Sequence, residues 1–295
     1  GRRPSADCTT GRNHDRVVGP RPMRITQLNV YPLKGAAGIS VGVWQLDAFG
    51  LRYDRRWMVV DGAATFISQR SDAGLGQVRP SFAAGSLALH SGTSGECRLP
   101  LSGGGGAHAR VRVWNDDVDA VDCGEEAAAF ISVHLGREAR LVHMPDSTLR
   151  AVDPSYAPPG VRVSFADAFP LLIIGEGSLA ELNGRLGEPV AMKRFRPNVV
   201  VSDTAPHEED SWRRVRLGDV ECDVVKPCAR CVVPNIDPDT AVASREPNRT
   251  LASYRRWDGH IWFGQNAIHH GPGTLVVGAS VDVLDTGEPD PPLLL

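Results

Sequence analysis

The chain has 295 residues, 42% of them hydrophobic and 23% charged, which is ordinary for a globular protein of one large domain or two medium ones. Its formal net charge of -3 argues against general nucleic-acid binding, which usually leaves a strongly basic surface. No run of about 18 apolar residues occurs, so we predict no transmembrane helix and no membrane partner. Six scattered cysteines without a secretory leader pattern favour free thiols or metal ligands in a reducing cytoplasm.

The first half of the chain is predicted to consist mainly of strands. Residues 1–22 are polar and unpatterned, and we expect a disordered tail or sequence upstream of a start at Met23. From Arg24 onwards, short apolar runs alternate with turn residues, as half-buried strands do. The stretch "GAATFISQR" is interpreted as a hairpin partner and the tetraglycine at 103–106 as a hairpin tip. One helix is expected at "EEAAAFISVHLG", with acids in its first turn and Gly136 at its end.

The second half begins with a proline-rich stretch, "DPSYAPPGVRVSFADAFP", and we place a domain boundary near it, at about residue 145. A buried strand and an amphipathic helix from about Glu176 to Leu186 are predicted in "PLLIIGEGSLAELNGRLG". A hairpin that turns at Gly218 leads into a cysteine motif, and "GTLVVGASVDVLD" is interpreted as a closing strand pair. Because helical periodicity is scarce, we predict an α+β protein that is mostly β, with a short C-terminal tail at 286–295.

The cysteine motif "KPCARCVVPNIDPDT" spans residues 226–240 and has four possible interpretations. A structural zinc site needs four ligands, usually two close pairs, whereas the other cysteines stand alone in sequence. A redox pair normally opens a helix, which the Val-Val-Pro-Asn after Cys231 does not favour. A thiolate ligand to a soft or redox-active metal would be favoured by the flanking Lys226 and Arg230. An inert pair of cysteines in a strand is the fourth interpretation, and spacing alone leaves all four open.

The motifs "FADAFPLLIIGEGSLAELN", "FRPNVVVS", "EEDSW", "LGDVECDVVKPCARC", "DPDT" and "FGQN" follow one another along the chain. In this order they resemble the MOSC-domain molybdenum-cofactor proteins, which include the bacterial YcbX-type proteins and the mitochondrial amidoxime reducing component. The stretches "VYPLKG" and "LRYDRRWMVV" resemble the N-terminal β-barrel domain of that family. The resemblance implies a β-barrel-like domain over 23–145, followed over 146–285 by a MOSC domain with a β-barrel core and a few helices.

The resemblance also implies a pyranopterin molybdenum cofactor held between the two domains. The family's metal ligand is the cysteine directly after arginine, so Cys231 is the predicted catalytic residue and metal ligand, with Cys228 as a neighbouring thiol. The Asp-Pro-Asp-Thr stretch is expected to be a rigid turn that positions Cys231. The domain type further carries an association with pyridoxal phosphate. The remaining residues predicted to bind the cofactor, by resemblance or by position, are Lys34, Arg55, Arg70, Ser178, Arg196, Asn198, Asp237, Gln265 and Asn266.

The activity that the resemblance implies is the reduction of N-hydroxylated compounds, such as hydroxylamines, amidoximes and N-hydroxylated bases, to amines or amidines and water. No C-x4-C-x2-C run for a plant-type iron–sulfur cluster occurs, so we expect an external electron donor, either ferredoxin-type or a flavoprotein reductase. One alternative is a binding or carrier protein for molybdenum cofactor or activated sulfur. Another is a zinc-stabilised interaction module.

Three positions depart from the family pattern. Gly35 stands where a serine is frequent, which would replace a hydroxyl contact to the cofactor. Pro234-Asn235 stands where relatives have two threonines, which would change the wall next to the metal. Ala241 stands where relatives have glycine, and alanine tolerates positive φ less well.

Overall fold

The structure is a computed structural model that describes residues 22–289, so the predicted tails at 1–22 and 286–295 lie mostly outside the described residues. It is 41% strand and 16% helix, which confirms the predicted fold class. Among the described residues, no helix is both long and apolar enough to cross a membrane.

The α-helices are α1 Glu125–Leu135, α2 Glu176–Arg185 and α3 Asn248–Tyr254. The strands are β1 Ile25–Val30, β2 Ile39–Val41, β3 Val43–Asp47, β4 Gly50–Leu51, β5 Trp57–Val60, β6 Arg79–Ala83, β7 Ser86–Ser91, β8 Gly95–Pro100, β9 His108–Val113, β10 Asp116–Asp122, β11 Arg140–His143, β12 Leu171–Gly175, β13 Val199–Val201, β14 Trp212–Leu217, β15 Val220–Ala229, β16 Arg256–Trp257, β17 His260–His269, β18 Gly273–Val276 and β19 Val281–Thr286.

One nine-stranded sheet joins the two ends of the described chain. Its order is β19-β14-β15-β17-β12-β13-β1-β2, and β16 pairs with β17 at the side. Strand β1 lies antiparallel to β13, which is itself parallel to β12. Buried side chains of β1, β13 and β14, among them Leu28, Val199 and Trp212, form one core over this sheet. Strands from the start of the chain therefore share a sheet with the second half, and a domain boundary near residue 145 stays a prediction.

Three smaller sheets build the rest of the described chain, in the orders β5-β11-β10-β9, β6-β7-β8 and β18-β3-β4. Helix α1 packs its buried Phe130 and Ile131 into a core with Leu75 and Leu141. It ends at Gly136, as predicted, because φ there is +66° and the glycine N–H donates to the Ser132 carbonyl. This left-handed end turns the chain back so that β11 can enter its sheet.

Two segments of the first half differ from their predicted structure. Residues 62–70 do not form a strand, and the segment makes only isolated bridges to β5 and β9. The tetraglycine is not a hairpin tip, because β8 pairs with β7 and β9 pairs with β10. Gly103 instead crosses over the His143 ring with φ of +83°, where a Cβ would lie 2.0 Å from Nδ1. Glycine is required there by close approach rather than by a tight turn.

The second half contains two elements that periodicity did not predict, strand β17 and helix α3. Strand β17 pairs with β12 on one side and β15 on the other, so it lies in the middle of the large sheet. Such strands lose the alternation of polar and apolar residues on which prediction depends. The last two strands do not pair with each other, because β18 joins β3 and β19 joins β14. Those partners are distant in sequence, so no local turn pattern indicates them.

Candidate functional site

One cavity collects side chains from distant parts of the chain, and most of the predicted site residues line it. Of the predicted residues, it is lined by Lys34, Arg55, Arg70, Arg196, Asn198, Cys231 and Asn266. It is also lined by Phe66, Trp114, Asp167, Leu172, Phe195, Cys228 and Arg230. The lining therefore holds five cationic side chains, two thiols and, among the described residues, a single carboxylate.

Two arginines of the cavity are held against the ring of Tyr31. The guanidinium carbons of Arg55 and Arg196 lie 4.4 and 4.3 Å from its centroid. Arg55 also pairs with the buried carboxylate of Asp54 and donates to Asn198 Oδ1 at 3.1 Å. Desolvation, together with the charge of Arg55, lowers the pKa of Arg196 to about 10. A desolvated cation beside a second cation favours the binding of an anion.

Lys34 and Arg70 flank the carboxylate of Asp167 in another part of the cavity. Lys34 Nζ donates to Asp167 Oδ1 at 2.6 Å, and the indole N–H of Trp114 donates to the same oxygen at 3.3 Å. Arg70 Nη2 lies 3.9 Å from Oδ2. Desolvation within the cavity would raise the pKa of Asp167, although its side chain is 61% exposed, but the charges of Lys34 and Arg70 outweigh this effect and hold that pKa well below its usual range. The carboxylate is therefore ionised at neutral pH.

Three cavity residues other than glycine have a left-handed backbone, with φ of +49° at Arg55, +58° at Arg196 and +56° at Trp114. This conformation costs a residue other than glycine roughly 1–2 kcal/mol, and it persists where the surroundings impose it, often at functional sites. At Trp114 the cause is the two-residue loop between β9 and β10, since positive φ there matches the twist of the strands. All three side chains line the same cavity.

The two thiols of the cysteine motif lie at the end of β15. Asn248 Nδ2 donates to the Cys231 carbonyl at 2.6 Å and fixes the backbone next to that thiol. Arg230 Nη1 donates to Cys228 Sγ at 3.0 Å, and its Nη2 donates to the Phe195 carbonyl at 2.8 Å. Within residues 22–289, no group of three or more His, Cys, Asp or Glu side chains could hold a metal ion. A zinc site built from protein side chains alone therefore has no support in this part of the chain.

Ser178 and Gln265 lie outside the cavity, in the core. Ser178 is fully buried, and its Oγ lies 2.7 Å from both carboxylate oxygens of Glu209, to either of which it can donate its one proton. Gln265 Nε2 donates to Asp210 Oδ1 at 2.7 Å, in a site that is also buried. Gln265 and Asn266 are neighbours in β17 and point to opposite faces of the strand, so only Asn266 reaches the cavity. Ser178 shares Glu209 with the backbone N–H of Gly175, and Gln265 shares Asp210 with Arg255, so both side chains complete buried carboxylate networks.

Glu209 makes this buried cluster sensitive to pH. Burial raises the pKa of its carboxyl from 4.5 to about 7. The pKa of Glu209 is higher in the folded than in the unfolded state, so the folded state favours the protonated carboxyl. The contribution of this carboxyl to stability is therefore complete below about pH 4.5 and is lost as the pH rises through about 7. Between pH 5 and pH 8, the free energy of unfolding of the native chain should fall relative to that of Glu209→Gln by up to about 3 kcal/mol, because glutamine cannot ionise. Urea denaturation at both pH values measures this difference.

The half-buried neighbour Glu208 provides the control for that experiment. Glu208→Gln should follow the pH dependence of the native chain, since its carboxyl lies outside the Ser178 cluster. Identical pH dependence of Glu209→Gln and the native chain would contradict the prediction.

Asp237 also lies outside the cavity, in the Asp-Pro-Asp-Thr turn. Its Oδ1 accepts hydrogen bonds from the backbone N–H groups of Asp239 and Thr240 at 2.9 and 3.1 Å, and its Oδ2 pairs with Arg194 at 2.8 Å. Ala241 follows with φ of +59°, a conformation to which the family's glycine would be better suited. Asp237 is therefore placed to hold the loop after Cys231 rather than to line the cavity.

The other two departures from the family pattern have different consequences. Gly35 lines the cavity with φ of +86°, and a Cβ there would lie 2.6 Å from Leu75 Cδ2. A serine would therefore be strained by both its backbone and its contacts, which explains the glycine. Pro234 and Asn235 do not line the cavity, whereas Val233 does. The two departing residues can therefore alter the wall of the cavity only through the position of that valine.

Sequence reasoning did not identify Asp167, Trp114 or Phe66 as site residues. Asp167 lies in one of the quoted family motifs, but nothing in the motif indicates that its carboxylate meets Lys34. One feature of the sequence could have drawn attention to Trp114. It stands in a two-residue hairpin loop, where asparagine or glycine is the usual residue.

Two protein-family models match this chain. The MOSC domain matches residues 160–282, and the MOSC N-terminal beta barrel domain matches residues 22–138. Mitochondrial amidoxime-reducing component 1 of Mus musculus is 34% identical over an alignment of 279 positions that covers 88% of this chain and 82% of that protein. The chain belongs to the MOSC family. The same protein of Homo sapiens is also 34% identical to this MOSC protein, with the same coverage.

A second kind of relative is the molybdenum cofactor sulfurase of Oryza sativa subsp. japonica. It is 30% identical over 82% of this MOSC protein, which covers 32% of the sulfurase. The names of these relatives associate the family with the molybdenum cofactor and with reductases. The predicted family membership and the fold of an N-terminal barrel domain followed by a MOSC domain are therefore confirmed.

Proposed function

We propose that this MOSC protein is a molybdenum-cofactor-dependent oxidoreductase that reduces N-hydroxylated compounds to amines or amidines and water. The observation that carries the proposal is the composition of the cavity, in which five cationic side chains and the thiol of Cys231 face a single carboxylate. A surplus of positive charge next to a thiol suits an anionic cofactor whose metal accepts a soft sulfur ligand.

The donors of the cavity fit a pyranopterin cofactor with a terminal phosphate. Arg55 and Arg196 offer planar N–H edges to phosphate or pterin oxygens, and Lys34 offers a compact charge. Each charge-assisted hydrogen bond contributes about 1.5–3 kcal/mol, so three or four hold a cofactor tightly. Cys231 would provide the single protein thiolate, and Asn198 would provide an amide. When bound, the cofactor supplies the two-electron redox chemistry that side chains cannot supply.

The chain itself binds and orients the reactants and excludes water. Reduction of R–NH–OH to R–NH2 and water consumes two electrons and two protons. Phe66, Leu172 and Phe195 line the cavity, and Phe195 is fully buried. These apolar walls would hold the substrate in surroundings of low polarity, where the charges of the cavity act strongly.

The names of the relatives support the substrate class, because the amidoxime-reducing components are named for reducing amidoximes. These relatives are named as mitochondrial proteins, whereas the composition of this sequence favours a reducing cytoplasm. We keep the cytoplasmic location as a proposal for this chain.

The test of the proposed function uses the choice of electron donor. The purified 295-residue chain should contain molybdenum and pterin and should reduce an aryl amidoxime with reduced viologen, but not with NADH or NADPH alone. The reason is that the sequence has no cysteine set for an iron–sulfur cluster and no G-x-G-x-x-G after a strand. Adding a ferredoxin-type or flavoprotein reductase should restore the NADPH-dependent rate.

Protein from a host that cannot make the cofactor is the control and should be inactive with viologen. Steady turnover with NADPH and the isolated chain would contradict the predicted need for a partner. Absence of molybdenum and pterin from active protein would contradict the proposed cofactor.

A second candidate function is that of a carrier for molybdenum cofactor or activated sulfur. The similarity to molybdenum cofactor sulfurase favours it. A chain that binds molybdenum and pterin but shows no turnover with viologen would support the carrier over the reductase.

A further inference from the structure

We propose that Trp114 and Asp167 form a recognition pair for a flat ring that carries adjacent N–H donors. The indole would stack on the ring, and the carboxylate would accept from its N–H edge. The inference rests on the proposed function for the two sources of such a ring, which are the pterin of the cofactor and the aryl amidine that the reaction forms.

The first observation is the placement of Trp114. Its side chain is at the tip of the β9–β10 hairpin, outside the main cores, and the residue is 38% exposed although it lines the cavity. The guanidinium carbon of Arg70 lies 4.3 Å from the indole centroid, and the Phe66 centroid lies 4.8 Å from it, with the two ring planes inclined by 60°. The two-residue turn imposes a φ of +56° on this residue, a conformation that glycine or asparagine would adopt at less cost than tryptophan. The hairpin therefore holds an aromatic surface at the cavity at a cost to the backbone.

The second observation is the state of the Asp167 carboxylate. Its Oδ1 is occupied by Lys34 and by the indole N–H, whereas no described residue donates a hydrogen bond to Oδ2, to which Arg70 comes no closer than 3.9 Å. The side chain is 61% exposed, so Oδ2 is open to a ligand. A free carboxylate oxygen is an acceptor only, and it favours donors such as amino and ring N–H groups.

The indole ring and the free carboxylate oxygen together favour one class of ligand. An ionised carboxylate repels phosphate, so this part of the cavity suits a donor edge better than an anion. An aromatic face next to a carboxylate fits aminopyrimidine and amidine groups, because both are flat and both present N–H donors in one plane. Arg196 also lines the cavity and donates through Nη1 to the Ala36 carbonyl, which leaves its other guanidinium N–H groups for the anionic part of the same ligand.

The experiment measures the binding of two probes to the full chain, purified without cofactor. The probes are 2-amino-4-oxopteridine, which represents the pterin of the cofactor, and benzamidine, which represents the amidine product. Titration calorimetry gives Kd for the native chain, Trp114→Asn and Asp167→Asn. We expect at least one probe to bind the native chain, and each variant to weaken that binding roughly ten-fold. The probe that responds identifies the source of the ring.

Trp114→Asn separates binding from folding, since asparagine adopts positive φ more readily than tryptophan. Its melting temperature should equal or exceed that of the native chain while its affinity falls. Matched controls are Trp257→Phe, which changes an exposed tryptophan outside the cavity, and Asp146→Asn, which changes an exposed carboxylate paired with Arg56. Both should bind the probes like the native chain.

Several results would overturn the inference. If neither probe binds the native chain, the inference is wrong. It is also wrong if Asp167→Asn binds the probes with unchanged affinity. Loss of affinity in Trp114→Asn together with a lower melting temperature would show that the tryptophan is only structural. Failure of the proposed function has a different signature, because absent molybdenum and absent reductase activity leave these affinities unchanged.

Discussion

Cys231→Ser is expected to abolish reduction of N-hydroxylated substrate and to change the optical or EPR signal of molybdenum. A hydroxyl is a hard and weakly acidic group, so it is a poor substitute for a thiolate ligand. The loss should exceed that of any other single substitution in the cavity, because this residue would be the one protein ligand of the metal. Reduced-viologen turnover, molybdenum content and the EPR spectrum of the same preparation measure the effect.

Cys228→Ser is the matched control, since both thiols line the same cavity only three positions apart. Cys228 Sγ accepts a hydrogen bond from Arg230 at 3.0 Å, and a serine hydroxyl can accept the same bond. Most activity should therefore remain. An inactive Cys228→Ser with an active Cys231→Ser would reverse the assignment of the ligand.

Arg196→Ala is expected to lower the molybdenum content of the purified protein while leaving the fold almost unchanged. In the cofactor-free chain, burial and the charge of Arg55 both disfavour the charged form of Arg196, as its lowered pKa of about 10 indicates. Removing the guanidinium relieves that repulsion and offsets the lost bond to the Ala36 carbonyl. An anionic cofactor loses a charge-assisted hydrogen bond worth about 1.5–3 kcal/mol, or roughly 10- to 150-fold in affinity.

Molybdenum per chain and the melting temperature of the cofactor-free protein measure these two effects separately. Arg110→Ala is the control, because Arg110 is 63% exposed in a surface ion pair with Asp119, and it should change neither quantity. Arg55→Ala should lower both the molybdenum content and the melting temperature, since it leaves the carboxylate of Asp54, which is 1% exposed, without its cation. Full molybdenum occupancy in Arg196→Ala would show that this arginine does not hold the cofactor.

The residues that sequence comparison placed in the cavity share one property. Lys34, Arg55, Arg196 and Asn198 lie in short motifs whose order matches the MOSC family, so a linear pattern indicates them. Ser178 and Gln265 lie in equally specific motifs, but their side chains are buried against Glu209 and Asp210. A motif marks a segment that a family retains, and it does not distinguish a side chain that binds a ligand from one that supports the segment.

The sequence by itself determined the strand-rich class, helices α1 and α2, the turn at Gly218 and the cysteine motif. These features depend on periodicity, capping residues and turn residues, which act over a few neighbouring positions. Only the tertiary structure decided that β18 and β19 join different sheets, that β17 is central, and that Trp114 and Asp167 meet Lys34. Those outcomes depend on contacts between residues far apart in the chain, whose free energies are set by burial and charge in the folded protein rather than by local sequence.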